Sequence, residues 1–334
     1  MREFNLMLDS GAFSAWMRKK EVDLETYIEF ILKHDDDIDY VVGLDVIPST
    51  YGAESVTSLE QEEAARKGWH NYLATIERGV AADKVIHVFH QGESFKWLKK
   101  AISKMDYIGL SPANDCPTKS KIRFLDECMN YVCTNGEPDL KFHGFGITST
   151  EIMKRYPFYS IDSSSWVTFS RHGTMLIPKI NTNGDFIYTK PPHEIQSTKR
   201  AASRKTSSLN HFDNMPKEMK EAIARYVHSR GFKMGKSYIQ DGEEVVVRDG
   251  VMTNHRMRDL LNLMFYVDAC KEAECHFYVS GNFPQMKDPY LETECFIIVC
   301  NHNNNIYNRL ASFWFKDDCE SVIDVKRTIY KVEG

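Results

Sequence analysis

The sequence lacks any long hydrophobic run. No apolar stretch reaches the ~18–20 residues that a membrane-spanning helix needs, and the first residues, MREFNLMLDSG, show neither the apolar segment nor the cleavage site of a signal peptide. An excess of positive charge is absent too, since the formal net charge is −5. We therefore expect a soluble, cytoplasmic protein whose affinity for any nucleic acid comes from a local basic patch.

Other features are missing as well. No internal repeat or low-complexity tract is present, and the glycine-containing segments GESFKW and GITSTE lack the lysine pattern of a phosphate-binding loop. The eight cysteines occur without a secretion signal, which predicts reduced thiols and not disulfides. A hydrophobic content of 42% excludes disorder of the whole chain.

Short apolar runs, separated by amphipathic segments, fill the first half of the chain. The runs are FNLMLDSGAF, YVVGLDVIP, KVIHVFHQG, DYIGLSPAN, LKFHGFGI and YSIDSSSW. Alternation of strands with helices predicts a parallel sheet. We predict an α/β fold of the TIM-type (β/α)8 barrel class, irregular or incomplete, with a C-terminal α+β extension, because the chain exceeds the ~250 residues of a typical barrel.

The alternation of short apolar runs with amphipathic segments ends near residue 170. Residues 1–170 are predicted to hold six βα units with the catalytic strand ends, and residues 171–334 the remaining barrel elements, a basic loop and the extension. A hairpin is expected at Asn183-Gly184, and residues 191–212 show no periodicity. Further strands are expected in CHFYVSG, CFIIVCNH and ASFWFKD, but the last two barrel strands are not identified.

Polar or small residues stand where the six runs end. These positions are Asp9, Asp45, Gln91, Gly109, Gly144–Gly146 and Asp162. The carboxyl ends of all strands in a β/α barrel open on one face, which carries the chemistry. Three carboxylates and one amide converging there predict an active site.

The motifs resemble those of one family in the same order. LDSGAF resembles the LVDSGGY/F signature of tRNA-guanine transglycosylases, which exchange guanine for a 7-deazaguanine in a nucleic acid. GLDV is similar to the family's FDEC, HVFHQGES to IVQGG, DYIGLSPAN to GYAVGGLAVGE, and HGFGITSTEIMKRYPFYSID to MGVG…GIDMFD. The resemblance covers roughly residues 4–166. It implies a β/α-barrel base-exchange enzyme without a redox cofactor.

Two departures from the family narrow the expectation. The zinc motif CxCxxC with a distant His is missing, and the nearest candidates are Cys270, Cys275, His276, Cys295, Cys300 and His302. Cysteine pairs spaced C-x4-C on helical or strand-like segments are poorly placed to supply ligands to a tetrahedral zinc ion. We therefore expect no metal and no cofactor. The chain also begins at the first catalytic strand. This trimmed form is most similar to phage-encoded relatives that insert 7-deazaguanines, such as 7-cyano-7-deazaguanine, into DNA and shield it from restriction enzymes.

The catalytic roles follow from the chemistry of base replacement. A carboxylate below C1′ stabilises the developing positive charge and forms a covalent sugar–enzyme ester, a role that fits Asp162. Hydroxyls of the neighbouring Ser163–Ser165 are expected to donate to it. Asp9 is predicted to protonate the leaving purine and deprotonate the incoming one. The alternative interpretations are a strand-end cap for Asp162 and a turn former for Asp9.

A second set of residues is predicted to bind the base. It comprises Ser10, Phe13, Asp45, Gln91, Gly109, Leu110, His143 and Gly144. Asp45 would accept from N1–H and the 2-amino group of guanine, while the Gln91 amide and the Gly109 N–H would donate to O6. Phe13 would stack on one face, with His143 and Gly144 on the other. Alternatively, Asp45 only ends a strand, Phe13 belongs to the core and His143 is a satisfied buried histidine.

The clustered positive charge lies in the aperiodic segment. Its members are Lys199, Arg200, Arg204 and Lys205, with no acidic residue between Glu194 and Asp213. Such a run is either a solvated loop or, beside an active site, a phosphate-binding segment for DNA.

Other functions stay open at this point. One is a tRNA-guanine transglycosylase, which a zinc measurement and a DNA-versus-tRNA labelling assay would distinguish. Another is a retaining N-glycosidase or glycoside hydrolase, which would release free base without replacing it. A non-catalytic nucleic-acid-binding subunit is a third, against which the presence of both Asp9 and Asp162 argues.

Overall fold

The computed structural model describes residues 5–48, 55–114, 116–134, 137–138, 140–147, 149–199, 210–271 and 296–300. The strands that were expected in CHFYVSG and ASFWFKD lie outside these residues. None of the helices in the described ranges has the length and apolar character that crossing a membrane requires.

The elements alternate between strand and helix over the first half of the chain. The strands are β1 (Asn5–Asp9), β2 (Tyr40–Val42), β3 (Val85–His90), β4 (Tyr107–Ser111), β5 (Cys133–Thr134), β6 (Glu137–Pro138), β7 (Lys141–Gly144), β8 (Ser160–Ile161), β9 (Thr174–Ile177), β10 (Lys179–Ile180), β11 (Phe186–Ile187), β12 (His193–Gln196), β13 (Lys236–Gln240), β14 (Glu243–Arg248) and β15 (Phe296–Cys300). The helices are α1 (Ala12–Met17), α2 (Leu24–Lys33), α3 (Ser58–Glu77), α4 (Phe95–Ile102), α5 (Thr118–Val132), α6 (Thr150–Arg155), α7 (Ser165–Arg171), α8 (Lys217–Ser229) and α9 (His255–Lys271).

The main sheet is parallel and curls into a half-barrel. Its strand order is β15-β1-β2-β3-β4-β7-β8, and every neighbouring pair runs parallel. The six apolar runs are therefore confirmed as consecutive strands of one sheet. The run CFIIVCNH supplies β15, which pairs with β1 from Asn5↔Phe296 to Asp9↔Cys300. That is the edge on which the eighth strand of a barrel would pair.

The two faces of this sheet have different partners. Leu6, Leu8 and Phe89 point to the helices and join the main hydrophobic core. A separate hydrophobic cluster lies on the concave face. Its buried members are Met7, Val42, Ile86, Val88 and Tyr107. Successive side chains of a strand point to opposite faces. Asp9 and His90 each lie two residues after a member of this cluster, Met7 and Val88, so their side chains also point to the concave face.

The helix starts have clear chemical causes. Asp23 caps α2 by accepting from the Thr26 N–H at 2.8 Å. At α3 the cap is Thr57, which forms a capping box with Glu60. The helix α3 therefore begins at Ser58, the residue after this cap.

The second half of the chain differs in part from expectation. The Asn183-Gly184 hairpin is confirmed by antiparallel pairing of β10 with β11, and Gly184 has a φ of 89°. The segment without periodicity nevertheless contains β12, which pairs antiparallel with β9. Only Ile195 of β12 is buried, so a four-residue strand of this kind leaves no alternation to detect. The β13–β14 hairpin was also not predicted, although it turns at Asp241-Gly242.

Candidate active site at the carboxyl edge of the sheet

The first part of the site is the turn that follows β1. Gly11 has a φ of 73°, a left-handed conformation that favours glycine, and α1 begins directly after it. Ser10 is buried, accepts from the Ala12 N–H at 3.2 Å and donates its hydroxyl to Asp45 Oδ1 at 3.1 Å. Asp9, half-buried, ends β1. The motif LDSGAF thus supplies the carboxylate of Asp9 and, through Ser10, a hydrogen bond to the carboxylate of Asp45.

Asp45 is held from two sides. Its Oδ1 accepts from Ser10, and its Oδ2 lies 3.0 Å from His90 Nε2. Only 13% of the Asp45 side chain is exposed. His90 ends β3 on the concave face, and the sequence analysis did not identify it, although it directly precedes Gln91. These two contacts of Asp45, which lies after β2, connect it to Ser10 at the end of β1 and to His90 at the end of β3.

The groups around His90 titrate away from their ordinary values. Burial lowers the pKa of His90, but the adjacent carboxylates of Asp45 and Glu93 outweigh it, and the net pKa is raised. Burial raises the pKa of Glu93 to about 7, opposed by His90 and reinforced by Asp45. Glu93 Oε2 is buried without a hydrogen-bond partner in the described residues. Glu93, with its pKa raised to about 7, therefore lies beside a histidine whose pKa is also raised.

Gln91 follows β3 and is fixed to the segment after β4. Its Oε1 accepts from the Ala113 N–H at 3.1 Å, and its Nε2 donates to Ser120 Oγ at 3.0 Å. A side-chain amide carries two N–H donors. Within the described residues, one N–H of Gln91 has no partner and could donate to a ligand in the expected role.

Gly109 and Leu110 differ from the expected arrangement. Gly109 pairs on both sides, with Val88 and with His143, so its N–H lies in the plane of the sheet and points to a neighbouring strand. A Cβ at Gly109 would come within 2.3 Å of the Phe145 ring. The close approach that requires glycine is thus made by Phe145, and Leu110 is fully buried on the helix side.

Asp162 lies just beyond β8 at the opposite end of the six-strand series from Asp9. Its Oδ1 accepts from the Gly146 N–H at 2.7 Å and lies 3.5 Å from His143 Nε2. The side chain is 27% exposed. Among the described residues, Asp162 accepts from this backbone group, and no hydrogen bond from the expected serine hydroxyls is present; Ser163 Oγ accepts from the Ser165 N–H at the start of α7. Asp162 is therefore oriented through one oxygen and reachable from solvent.

A buried polar chain continues behind Asp162. His143 Nδ1 lies 2.5 Å from Ser160 Oγ, which also forms a hydrogen bond with the Tyr107 hydroxyl. His143 is fully buried, and its ring meets Phe145 edge-on at a centroid distance of 4.3 Å. Its ring therefore presents no face to a ligand. Tyr107 and Ser160 were missed by the sequence analysis, but each lies two residues before a predicted site residue on the same strand face.

The remaining predicted contacts fall on different sides of the sheet. A Cβ at Gly144 would meet Ile147 at 2.8 Å and Phe158 at 3.0 Å, so this glycine permits packing between β7 and the helix layer. Phe13 is 43% exposed on α1, which excludes a core position. Phe13 remains a candidate for stacking, whereas Gly144 serves the core.

Of the predicted basic segment, only Lys199 lies within the described residues; Arg200, Arg204 and Lys205 lie outside them. Lys199 forms an ion pair with Asp213, and His211 Nδ1 lies 3.8 Å from the same carboxylate. Lys199 is thus neutralised within the protein in this structure.

The cysteines expected as the nearest zinc candidates are mostly outside the described part of the chain. Cys275, His276, Cys295 and His302 are among those residues, and only the backbone of Cys300 is described. Within the described ranges, no group of three or more His, Cys, Asp or Glu side chains could hold a metal ion.

The sequence matches no family model. No curated protein matches it either.

Proposed function

We propose that this protein is a base-exchange transglycosylase that replaces guanine in DNA with a 7-deazaguanine through a covalent Asp162–sugar intermediate. The observation that carries the proposal is the state of Asp162. This carboxylate is partly exposed at the carboxyl edge of a parallel half-barrel, with one oxygen fixed by the Gly146 N–H at 2.7 Å. A carboxylate held by one oxygen can direct the other at C1′ of a nucleotide.

The remaining carboxylates support the exchange reaction. Asp9 ends β1 on the same edge of the sheet and is assigned the proton transfers of the leaving and incoming purines. Asp45 is assigned the N1–H and 2-amino group of guanine. Although both its oxygens have protein partners, each carboxylate oxygen has two lone pairs, so Asp45 can accept from a ligand as well.

The proposed contacts to the base take the observed geometry into account. Gln91 is retained as the donor to O6 because one of its N–H groups is uncommitted. Phe145 covers Gly109, the position where the purine edge was expected, so a bound base packs on Phe145 or displaces it. We assign stacking to Phe13 and Phe145, and His143 supports the site from behind.

DNA is proposed as the nucleic acid, and a full (β/α)8 barrel as the complete fold, from the motif resemblance together with the half-barrel. A base inside a duplex must leave the stack to reach Asp162. The predicted consequences are protection of the modified DNA, which in a phage genome would block restriction, and no need for a cofactor.

The test is an exchange assay with two nucleic acids. The protein is incubated with DNA or tRNA and with labelled guanine or 7-cyano-7-deazaguanine, and covalent fixation of label is measured. Label in DNA supports the proposal, and label in tRNA alone assigns the tRNA reaction. Release of free base without incorporation would instead identify an N-glycosidase, and absence of both reactions would refute catalysis by this site.

A further inference from the structure

We propose that His143 is a positioning residue that donates from Nε2–H to Asp162 Oδ1, and that Ser160 and Tyr107 fix the tautomer that makes this donation possible. This inference rests on the nucleophilic role proposed above for Asp162. Its basis is the buried series Tyr107–Ser160–His143, which runs from β4 through β8 and β7 and ends at the partly exposed Asp162.

The tautomer follows from counting donors. A neutral imidazole has one N–H and one acceptor nitrogen, and a hydroxyl has a single proton. If Tyr107 donates to Ser160 and Ser160 donates to Nδ1, then the His143 proton is on Nε2 and faces the carboxylate. The opposite arrangement would put the Nε2 lone pair against the Asp162 oxygen, which is repulsive. The series therefore favours the Nε2–H form of His143.

Burial strengthens this assignment. His143 is fully buried, and its Nε2 has no hydrogen-bond partner within the described residues, while Asp162 Oδ1 lies 3.5 Å away. An unsatisfied buried donor is unfavourable, so a small rotation of Asp162 that shortens this distance is expected. The Gly146 N–H already binds the same oxygen. Two neutral donors then converge on Oδ1, and Oδ2 is the oxygen that attacks.

This arrangement acts unequally on the two half-reactions. In the first, an Oδ2–C1′ bond forms, the bond from C1′ to the purine breaks with its electron pair going to the purine, and Asp9 supplies a proton to that purine. Oδ1 then becomes the carbonyl oxygen of the ester. In the second, the incoming base attacks C1′ and gives its proton to Asp9, and the Oδ2–C1′ electron pair returns to the carboxylate.

Donors at Oδ1 stabilise the negative charge that reappears in the second half-reaction. The same donors already stabilise the carboxylate before it attacks, so they do not favour the first half-reaction in the same way. Loss of the His143 donor should therefore slow resolution of the covalent intermediate more than its formation.

Two substitutions separate donation from packing. His143→Asn keeps a polar atom near the Nδ1 position for Ser160 but removes the donor to Asp162, whereas His143→Gln places an amide N–H near the Nε2 position. Single-turnover formation of the protein–DNA adduct, and its resolution by added base, are measured for both. Loss of one such donor is typically worth about 10²-fold. We expect His143→Asn to resolve the adduct about 10²-fold more slowly and to accumulate it, and Gln to recover most of that loss.

The outcomes distinguish this inference from the proposed function. If the wild-type protein forms neither adduct nor exchanged DNA, the proposed function fails. If the wild type exchanges bases and His143→Asn resolves its adduct at the wild-type rate, only the His143 inference fails.

A measurement that does not depend on catalysis gives an independent check. Because it uses the wild-type protein, it also tests the inference if the His143 variants do not fold. Nitrogen-15 NMR of the wild-type protein reports which imidazole nitrogen of His143 carries the proton. Protonation at Nε2 alone supports the inference, and protonation at Nδ1 alone contradicts it. Ser160→Ala removes the donor to Nδ1 and should shift the tautomer population toward Nδ1–H.

Discussion

Asp162 and Asp45 lie at the same edge of the sheet in contrasting surroundings. The engaged oxygen of Asp162 faces the Gly146 N–H and the His143 imidazole, which is followed by the hydroxyls of Ser160 and Tyr107. Asp45 lies beside His90, which is coupled to Glu93 and has a raised pKa. The first setting orients a carboxylate through hydrogen-bonding groups, and the second places a carboxylate beside two groups whose pKa values are raised.

The contrast separates two functions. We expect the Asp162 side to control the covalent steps. The Asp45 side should control base recognition and the pH dependence of stability. The predictions below begin with the largest expected effect, and those at Asp162, Asp45 and Glu93 test that division.

Asp162→Asn should reduce exchange by about 10⁴–10⁶-fold, in line with removal of a nucleophile from a catalytic group. The amide keeps the shape and the contact with the Gly146 N–H but does not attack C1′. Label incorporation is measured at saturating DNA. Asp35→Asn, the same change in a residue ahead of β2 that pairs with Lys84, serves as the control. Exchange by Asp162→Asn at a rate near that of the control would remove Asp162 from the mechanism.

Asp9→Asn should slow both half-reactions by about 10²–10⁴-fold, the usual range for general acid–base catalysis. Loss of guanine and incorporation of the new base use the same proton, so both rates should fall together. Pre-steady-state labelling with each substrate measures them separately. A variant with full-speed adduct formation and blocked resolution would assign the two proton transfers to different residues.

Changing Lys199, Arg200, Arg204 and Lys205 together to Ala should weaken DNA binding and flatten its salt dependence. The slope of log affinity against log salt should fall by up to about four units, at ~0.9 per phosphate contact. Lys199 is expected to contribute least because it pairs with Asp213. Binding is measured by salt titration, with Lys217→Ala on α8 as the exposed control. An unchanged slope would mean that this segment is a solvated loop.

Asp45→Asn should reduce discrimination between guanine and hypoxanthine, which lacks the 2-amino group, by about 10–100-fold. The lost contact is a charge-assisted hydrogen bond, and such bonds are worth about 1.5–3 kcal/mol. Exchange rates for the two bases are compared directly. Ser10→Ala, which removes one of the groups that orient Asp45, should give a smaller change in the same direction. Equal losses for both bases would make Asp45 structural.

Glu93→Gln should flatten the pH dependence of stability. The folded-state pKa of Glu93 is about 7, above its ordinary value of 4.5, so its contribution is fully present below pH 4.5 and is lost as the pH rises through 7. Since the side chain is partly exposed, the wild-type free energy of unfolding should fall by about 1–2 kcal/mol over this window. Denaturant unfolding at several pH values measures it.

Glu63→Gln is the matched control, because Glu63 is exposed and pairs with Lys67 on α3. His90 also has a raised pKa and adds a loss in the same direction, so Glu93→Gln should reduce the slope without removing it. A pH profile of Glu93→Gln identical to that of the wild type would show that the Glu93 carboxylate does not titrate in this range.

The sequence predicted the part of the fold that depends on local pattern. Six apolar runs became six consecutive parallel strands because each is a short buried segment followed by an amphipathic helix. The strand β12 escaped prediction because its pairing with β9 is antiparallel and buries only Ile195. The turn signal Asp241-Gly242 was present but was not recognised as a hairpin.

The site was predictable at strand ends and less so elsewhere. Asp45 and Asp162 could be found because each follows a buried run, but their partners required three-dimensional contacts. Alternation within a strand could have indicated Ser160 from Asp162 and Tyr107 from Gly109, as these pairs share the concave face. The contact of Phe145 with Gly109 depends on how β7 ends beside β4, and no sequence spacing reports that contact.

The most direct test of the account is to locate the covalent bond. Wild-type protein is incubated with guanine-containing DNA without an incoming base, denatured, digested with protease and analysed by mass spectrometry for a peptide that carries deoxyribose-linked nucleic acid. The account predicts an ester between Asp162 and C1′ of an abasic deoxyribose, absent from the Asp162→Asn variant and removed when 7-cyano-7-deazaguanine is added before denaturation. An adduct on another residue, or exchange that proceeds without any adduct, would contradict it.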